Sequence, residues 1–293
     1  MKIIIQKKDE WEFKMKIRIL RLIKRDLKVG FINNRYKFLG IILIFSLITL
    51  FNIVNIKNEV LELGFSSKCI NFIDIFFITF RGGEYDASYL PITWILINIY
   101  ITYLIGSYCY DDLSKDSAHL IVRMNNRKEI WISKIIWMIM NVIFFYVIIN
   151  IVIALFSITM LGFDFAWSEF SRSTMLNSIQ NKYSSTEFVL FTLSMYILSS
   201  VTLAALQMVI SLVIKPIYIY IVNISLISIA LCVEKFIIPI QSSMILRQNI
   251  FDNTYPINPV NSVIYNLTVL IIVIIMGSKV INNVDILSSQ KTD

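Results

Sequence analysis

The stretch IIWMIMNVIFFYVIINIVIALFSITML, residues 135–161, contains no Asp, Glu, Lys or Arg. Coiled as an α-helix it exceeds the roughly 20 residues that cross a hydrocarbon layer of about 30 Å. A helix packed on a soluble core has one apolar stripe. This one is apolar on every side, as a helix surrounded by lipid or by other helices must be. Charge-free windows of the same kind recur at about 38–56, 88–110, 188–214, 216–233 and 261–278. A charge at mid-bilayer costs about 2.5–3.5 kcal/mol, so six clean windows do not arise by chance. The fold class is therefore all-α: a polytopic integral membrane protein with six transmembrane helices.

The composition agrees. The 293 residues are 57% hydrophobic and 16% charged, with a mean hydropathy of +0.70, outside the soluble range. Twelve Lys and Arg precede the first window, five lie in 111–134, Lys215 adds one and the C-terminal tail two. The alternate connections hold three, two and two. This positive-inside bias predicts cytoplasmic N and C termini in a multi-pass protein of the cell membrane. The net charge of +7 reads as attraction to anionic membrane lipids; no basic stripe with stacking aromatics points to nucleic acid.

The chain divides into two regions: a basic segment, 1–37, and a six-span membrane domain, 38–293. The second has an outer loop at 57–87, an inner loop at 111–134 and a broken outer segment at 234–260. Within the basic segment, Met15–Phe31 has helical periodicity, with Leu20, Ile23, Leu27 and Phe31 on one face and Arg18, Arg21, Arg25 and Lys28 on another. Such a helix is expected to lie in the inner headgroup layer, either as an anchor alone or also as a docking surface. Residues 1–14 are unlike the rest of the chain in character, and Met15 is an alternative translation start. In the outer loop, Ile70–Phe80 is too short to span and is expected to be interfacial or partly inserted. Pro239, Gln241 and Arg247 interrupt the apolar 234–260 segment, which reads as a pair of short broken or re-entrant helices.

Immediately before the opening stretch stands RMNNRKEIWISK, Arg123–Lys134. Asn126 and Glu129 have capping-box spacing, Trp131 suits the headgroup level, and Lys134 is expected to snorkel to water. One reading is a well-anchored helix start. The other makes Arg123, Arg127, Lys128 and Glu129 a cytoplasmic contact patch.

Several chemistries are excluded. The eight glycines form no phosphate cradle, and Gly277–Lys279 lacks the rest of a P-loop. Cys69, Cys109 and Cys232 have no metal spacing, His119 stands alone, and Asp111–Asp112 read as a solvated helix end. The chain is therefore expected to be no enzyme and to hold no cofactor. The windows carry no ionisable group for a coupling proton or ion. They carry Asn98, Asn141, Asn150, Gln207, Asn223 and Asn266, either as helix–helix hydrogen bonds or as part of a substrate path. If the chain moves a substrate, the energy is expected to arrive from outside the bilayer, the alternative being sodium held by backbone carbonyls.

A basic inner helix, six spans, a charged loop before the third and a broken segment before the sixth resemble the permease subunit of type-2 ATP-binding-cassette (ABC) transporters, in a bacterial permease-like branch. Arg123, Arg127, Lys128, Trp131, Ser133 and Lys134 match that branch's charged motif. Asn126 replaces a more usual Ser, and Ile130 stands where a second Trp is common. Met244, Arg247, Pro259, Tyr265, Gly277 and Asp285 extend the likeness through the last third. The resemblance implies a separate ATPase that grips the first helix and the inner loop, with Arg123, Asn126, Arg127, Lys128, Glu129, Trp131 and Lys134 as ATPase-coupling residues. It also implies a second permease chain, identical or different, and export of a hydrophobic peptide, antibiotic or lipid-like molecule, as in multidrug or peptide resistance. The alternative is a non-transporting immunity, sensor or assembly protein of the same fold.

Overall fold

In a computed structural model the described residues are 2–64, 66, 69–84, 90–106, 108–112, 127–162, 164–173, 177–180, 182–214, 216–233, 236–251 and 255–283, with side chains from residue 16 onward except at 173, 177, 178 and 216. Among them the chain is almost entirely helical. Five helical stretches are long and apolar enough to cross a membrane. They are α1 (Lys2–Glu62), α3 (Ile92–Ile105) continued by α4 (Tyr108–Asp111), α5 (Arg127–Met160), α8 (Ser185–Ser211) and α10 (Pro259–Asn283). A sixth apolar helix, α9 (Pro216–Cys232), has 17 residues. Shorter helices α2 (Phe72–Phe80), α6 (Glu169–Ser173) and α7 (Asn177–Gln180) complete the set.

The largest departure from expectation is α1. The amphipathic segment Met15–Phe31 is not a separate helix; it runs into the first apolar span without a break, giving one helix of 61 residues. No proline interrupts residues 2–62, and Asn33 and Asn34 are weak helix formers but no stop signal. Asn34 instead turns inward and donates to the Leu104 carbonyl at 3.3 Å.

Helices α1 and α5 run side by side as the spine of the bundle. Phe31, Phe38 and Phe144 pack as a triangle with centroids 5.1–5.4 Å apart. Gly30 admits the Trp137 ring so closely that a Cβ there would lie 1.8 Å from Nε1. At the far end, Lys57 of α1 reaches the Met160 carbonyl of α5 at 3.3 Å. At the near end, Arg127 of α5 meets the last turn of α10. The near end thus gathers the charged parts of the chain.

The short helix α2 is buried in the bundle rather than held at its surface. Asn71 caps it reciprocally with Asp74, a pattern that satisfies two orphan amides at once. Asp74 is 2% exposed. Its Oδ1 accepts from Ser168 (2.9 Å) and Ser171 (2.5 Å), and its Oδ2 from the Asn71 amide (2.9 Å). Burial nevertheless pushes its carboxyl above the usual carboxylate range, against those hydrogen bonds.

The broken segment forms two buried 3-10 turns, Pro239–Ser243 and Ile245–Arg247. Gln241 accepts from the Ile237 and Ile238 amides and donates to the Val233 carbonyl. Arg247, 4% exposed, donates to the Ala230 (3.0 Å) and Leu231 (2.9 Å) carbonyls. It thereby satisfies the open carbonyls at the C-terminus of α9, where a cation also complements the helix dipole. Backbone that is not helical is tolerable at membrane depth when it is buried in protein like this.

Of the amides in the apolar helices, Asn98, Asn141 and Asn150 donate to carbonyls four residues back on their own helices, and Asn141 also joins α5 to α1 by accepting from Asn34 at 3.4 Å. Gln207 and Asn223 join helices too: Gln207 donates to the Thr102 and Gly106 carbonyls and accepts from Asn223 at 2.9 Å. Asn266 donates to Ser242 at 3.0 Å.

Candidate functional site: a buried charged joint

The near end of the bundle holds three positive and three negative side chains in ion pairs, four of them in one buried group. They come from three stretches: Arg18, Arg25 and Asp26 from α1, Asp112 from the residue after α4, Glu129 and Lys134 from the first turns of α5. Arg25 Nη2 lies 2.6 and 2.7 Å from the two Asp112 oxygens and 3.2 Å from Asp26 Oδ1. Lys134 Nζ lies 3.2 Å from Asp26 Oδ1 and also donates to Asp112 Oδ2. Ser133 donates to Asp26 Oδ2 at 2.6 Å. Nearer the surface, Arg18 pairs with Glu129 at 3.2 Å.

Aromatic rings complete the lining. Lys134 Nζ stands 4.5 Å from the centroid of the Tyr108 ring, close enough for a cation–π contact. Tyr108 stacks on Trp137 with centroids 4.1 Å apart, and Trp137 fills the Gly30 notch. On the other side of α5, Trp131 Nε1 donates to the Ile274 carbonyl at 3.0 Å. Its ring lies over Gly277, where a Cβ would be 2.1 Å from Cζ2. Arg127 Nη1 is 3.2 Å from both the Ile281 and Asn282 carbonyls. The first two turns of α5 therefore grip α1, the 108–112 turn and the end of α10 together.

This geometry corrects three expectations. Lys134 does not snorkel; it is fully buried, with two carboxylates to hold it. Asp112 is no solvated helix end; it is 2% exposed. Glu129 does not project from the protein but faces inward, where Arg18 meets it. In each case a partner distant in sequence offsets a desolvation cost of several kcal/mol per ion. Arg18, Arg21, Lys28 and Lys128 are exposed, and Arg25 and Arg127 half-buried. Arg123, Asn126, His119 and Asp285 lie outside the described residues.

The cluster holds α1, the 108–112 turn and α5 in register, with the Ser133 hydroxyl committed to the Asp26 carboxylate. Among the described residues no group of three or more His, Cys, Asp or Glu comes together as a metal site. Asp26 is the member that the sequence reading missed; its signal was a single acid in the otherwise basic run LRLIKRDLKVG. Comparison with family models, curated proteins and solved structures finds no match.

Proposed function

We propose that the chain is the membrane-spanning permease subunit of an ABC-2-type transporter. It exports a hydrophobic peptide, antibiotic or lipid-like substrate using ATP hydrolysed by a separate ATPase, and works paired with a second permease chain. One observation carries this reading. The two parts that the resemblance assigns to ATPase contact, the basic part of α1 and the start of α5, are locked to each other by Arg18–Glu129, Asp26–Lys134 and Asp26–Ser133. A push on either is thereby passed to both long helices at once. Arg127 and Lys128 supply surface charge beside the joint. In this reading the near end faces the cytoplasm.

The test is purification of the full chain from its native membranes under mild solubilisation. A stoichiometric ABC ATPase, with ATP hydrolysis that disappears when Arg127→Glu and Lys128→Glu are combined, supports the proposal. No accompanying ATPase, together with an unimpaired double variant in the cell, removes it. A reporter fused at residue 120 that reads out on the external side would remove it independently.

The second reading is a non-transporting immunity, sensor or assembly protein. The inward turn of Glu129, Trp131 and Lys134 favours it, because these side chains spend their interactions within the chain. Retained cellular function without any ATPase would decide for it.

A further inference from the structure

At the far end of the bundle a cavity of about 330 Å³ opens between the last exposed turns of the first span, the end of α2 and the start of α3. Its wall is mixed in character. Glu59 contributes a carboxylate, Arg81 a guanidinium, and Asn52, Asn55, Thr79 and Thr93 amides and hydroxyls. The wall is also rigid. Asn52 donates to Thr79 at 3.3 Å, and Trp94 behind it is fixed by its bond to Ser243 at 2.8 Å. The Arg81 carbonyl accepts from the Leu246 amide at 3.1 Å. The next residue, Gly82, has φ +74 and lies against Met244, where a Cβ would come within 2.8 Å of Cα.

We infer that this cavity binds the headgroup of a zwitterionic phospholipid bearing a primary ammonium, of the phosphoethanolamine type. Size, charge and surroundings converge on that ligand. The volume lies at the small end of the roughly 300–1,000 Å³ found for small-molecule sites, which suits a headgroup. An acid from α1 and a guanidinium from the end of α2, both lining the cavity, complement an ammonium and a phosphate. Arginine's five donors allow it to hold a phosphate while keeping a protein partner. A primary ammonium also offers N–H donors to Glu59 and the amide oxygens, which a trimethylated one lacks. Finally, Phe51, Leu90 and Ile92 line the same cavity and are 65%, 68% and 66% exposed. Standing at the ends of two apolar spans, they give acyl chains a surface leading out of the site, which a soluble zwitterion does not use. The assignment is independent of any ATPase.

The experiment is native mass spectrometry of the full chain released from nanodiscs holding equal amounts of phosphatidylethanolamine, phosphatidylcholine and phosphatidylglycerol. Selective retention of phosphatidylethanolamine is expected. Glu59→Gln, an exposed and conservative change, should erase the preference over phosphatidylcholine. Arg81→Gln should lower retention of all three lipids about tenfold, the loss expected for one charge-assisted hydrogen bond. Unchanged melting of each variant shows that folding is not the cause. Equal retention of the three lipids by the unaltered chain, or unchanged selectivity in Glu59→Gln, overturns the proposal. So does displacement of the lipid by equimolar water-soluble glycerophosphoethanolamine, which would make the site one for a soluble zwitterion.

Discussion

Replacing Lys134 with Met keeps much of the side-chain volume while removing one buried charge. At 3.2 Å from Asp26, the lysine's attraction to that carboxylate alone is about 5 kcal/mol at an effective dielectric of 20, before the similar desolvation it opposes. With lysine gone, Asp26 and Asp112 keep Arg25, and the buried side of the cluster loses one positive charge. Breaking a buried pair from one side costs about 3–5 kcal/mol, and that is the loss expected for Lys134→Met. Adding Asp112→Asn restores neutrality, so the double variant should be no less stable than Lys134→Met alone. The coupling between the two sites should reach about 2–3 kcal/mol. Reversible unfolding in mixed micelles, followed by fluorescence of the nearby Trp131 and Trp137, measures all four members of the cycle. The reasoning fails if Lys134→Met loses less than about 1 kcal/mol, or if the double variant loses the sum of the two singles.

Three further outcomes can be checked in the same system. Gly277→Ala places a Cβ 2.1 Å from Trp131 Cζ2 and should cost about 1–3 kcal/mol by overpacking; combining it with Trp131→Phe should recover part of that loss. Because burial raises the Asp74 carboxyl, the folded chain holds that proton to higher pH than the unfolded chain. Its stabilising contribution is complete below the unfolded value of about 3.9 and is lost as pH rises through the folded value; Asp74→Asn should flatten that slope in pH-dependent unfolding. Gln207→Leu deprives the Thr102 and Gly106 carbonyls and Asn223 of a partner, and should cost about 0.6–1.7 kcal/mol, with cross-linking between α8 and α3 weakened.

The long helices were readable in the sequence because each is decided by a local sum, the transfer of one window of side chains into hydrocarbon. The Asn71–Asp74 cap is equally local, though its burial is not. The joint could not be read in the same way. Ser133 and Asp26 are 107 positions apart, and no window containing one reveals the other. Lys134 and Asp112 therefore looked like ordinary interfacial charges, for which water is the default partner. The same limit hid Arg247, whose task depends on where the end of α9 falls. The extent of α1 was missed for a different reason. A change from basic to apolar composition looked like a boundary, yet backbone geometry follows helix breakers, and residues 2–62 contain no proline.

One consequence lies in the shortness of α9. Its 17 residues rise about 25 Å, less than the roughly 30 Å of an ordinary hydrocarbon layer. Where this helix crosses, local thinning of the bilayer is one way to match it, and shorter acyl chains should then gather along that flank. The protein would then favour thin membranes over thick ones, and bulk lipid length would become a means of loosening or tightening the adjoining 3-10 turns without touching a single residue.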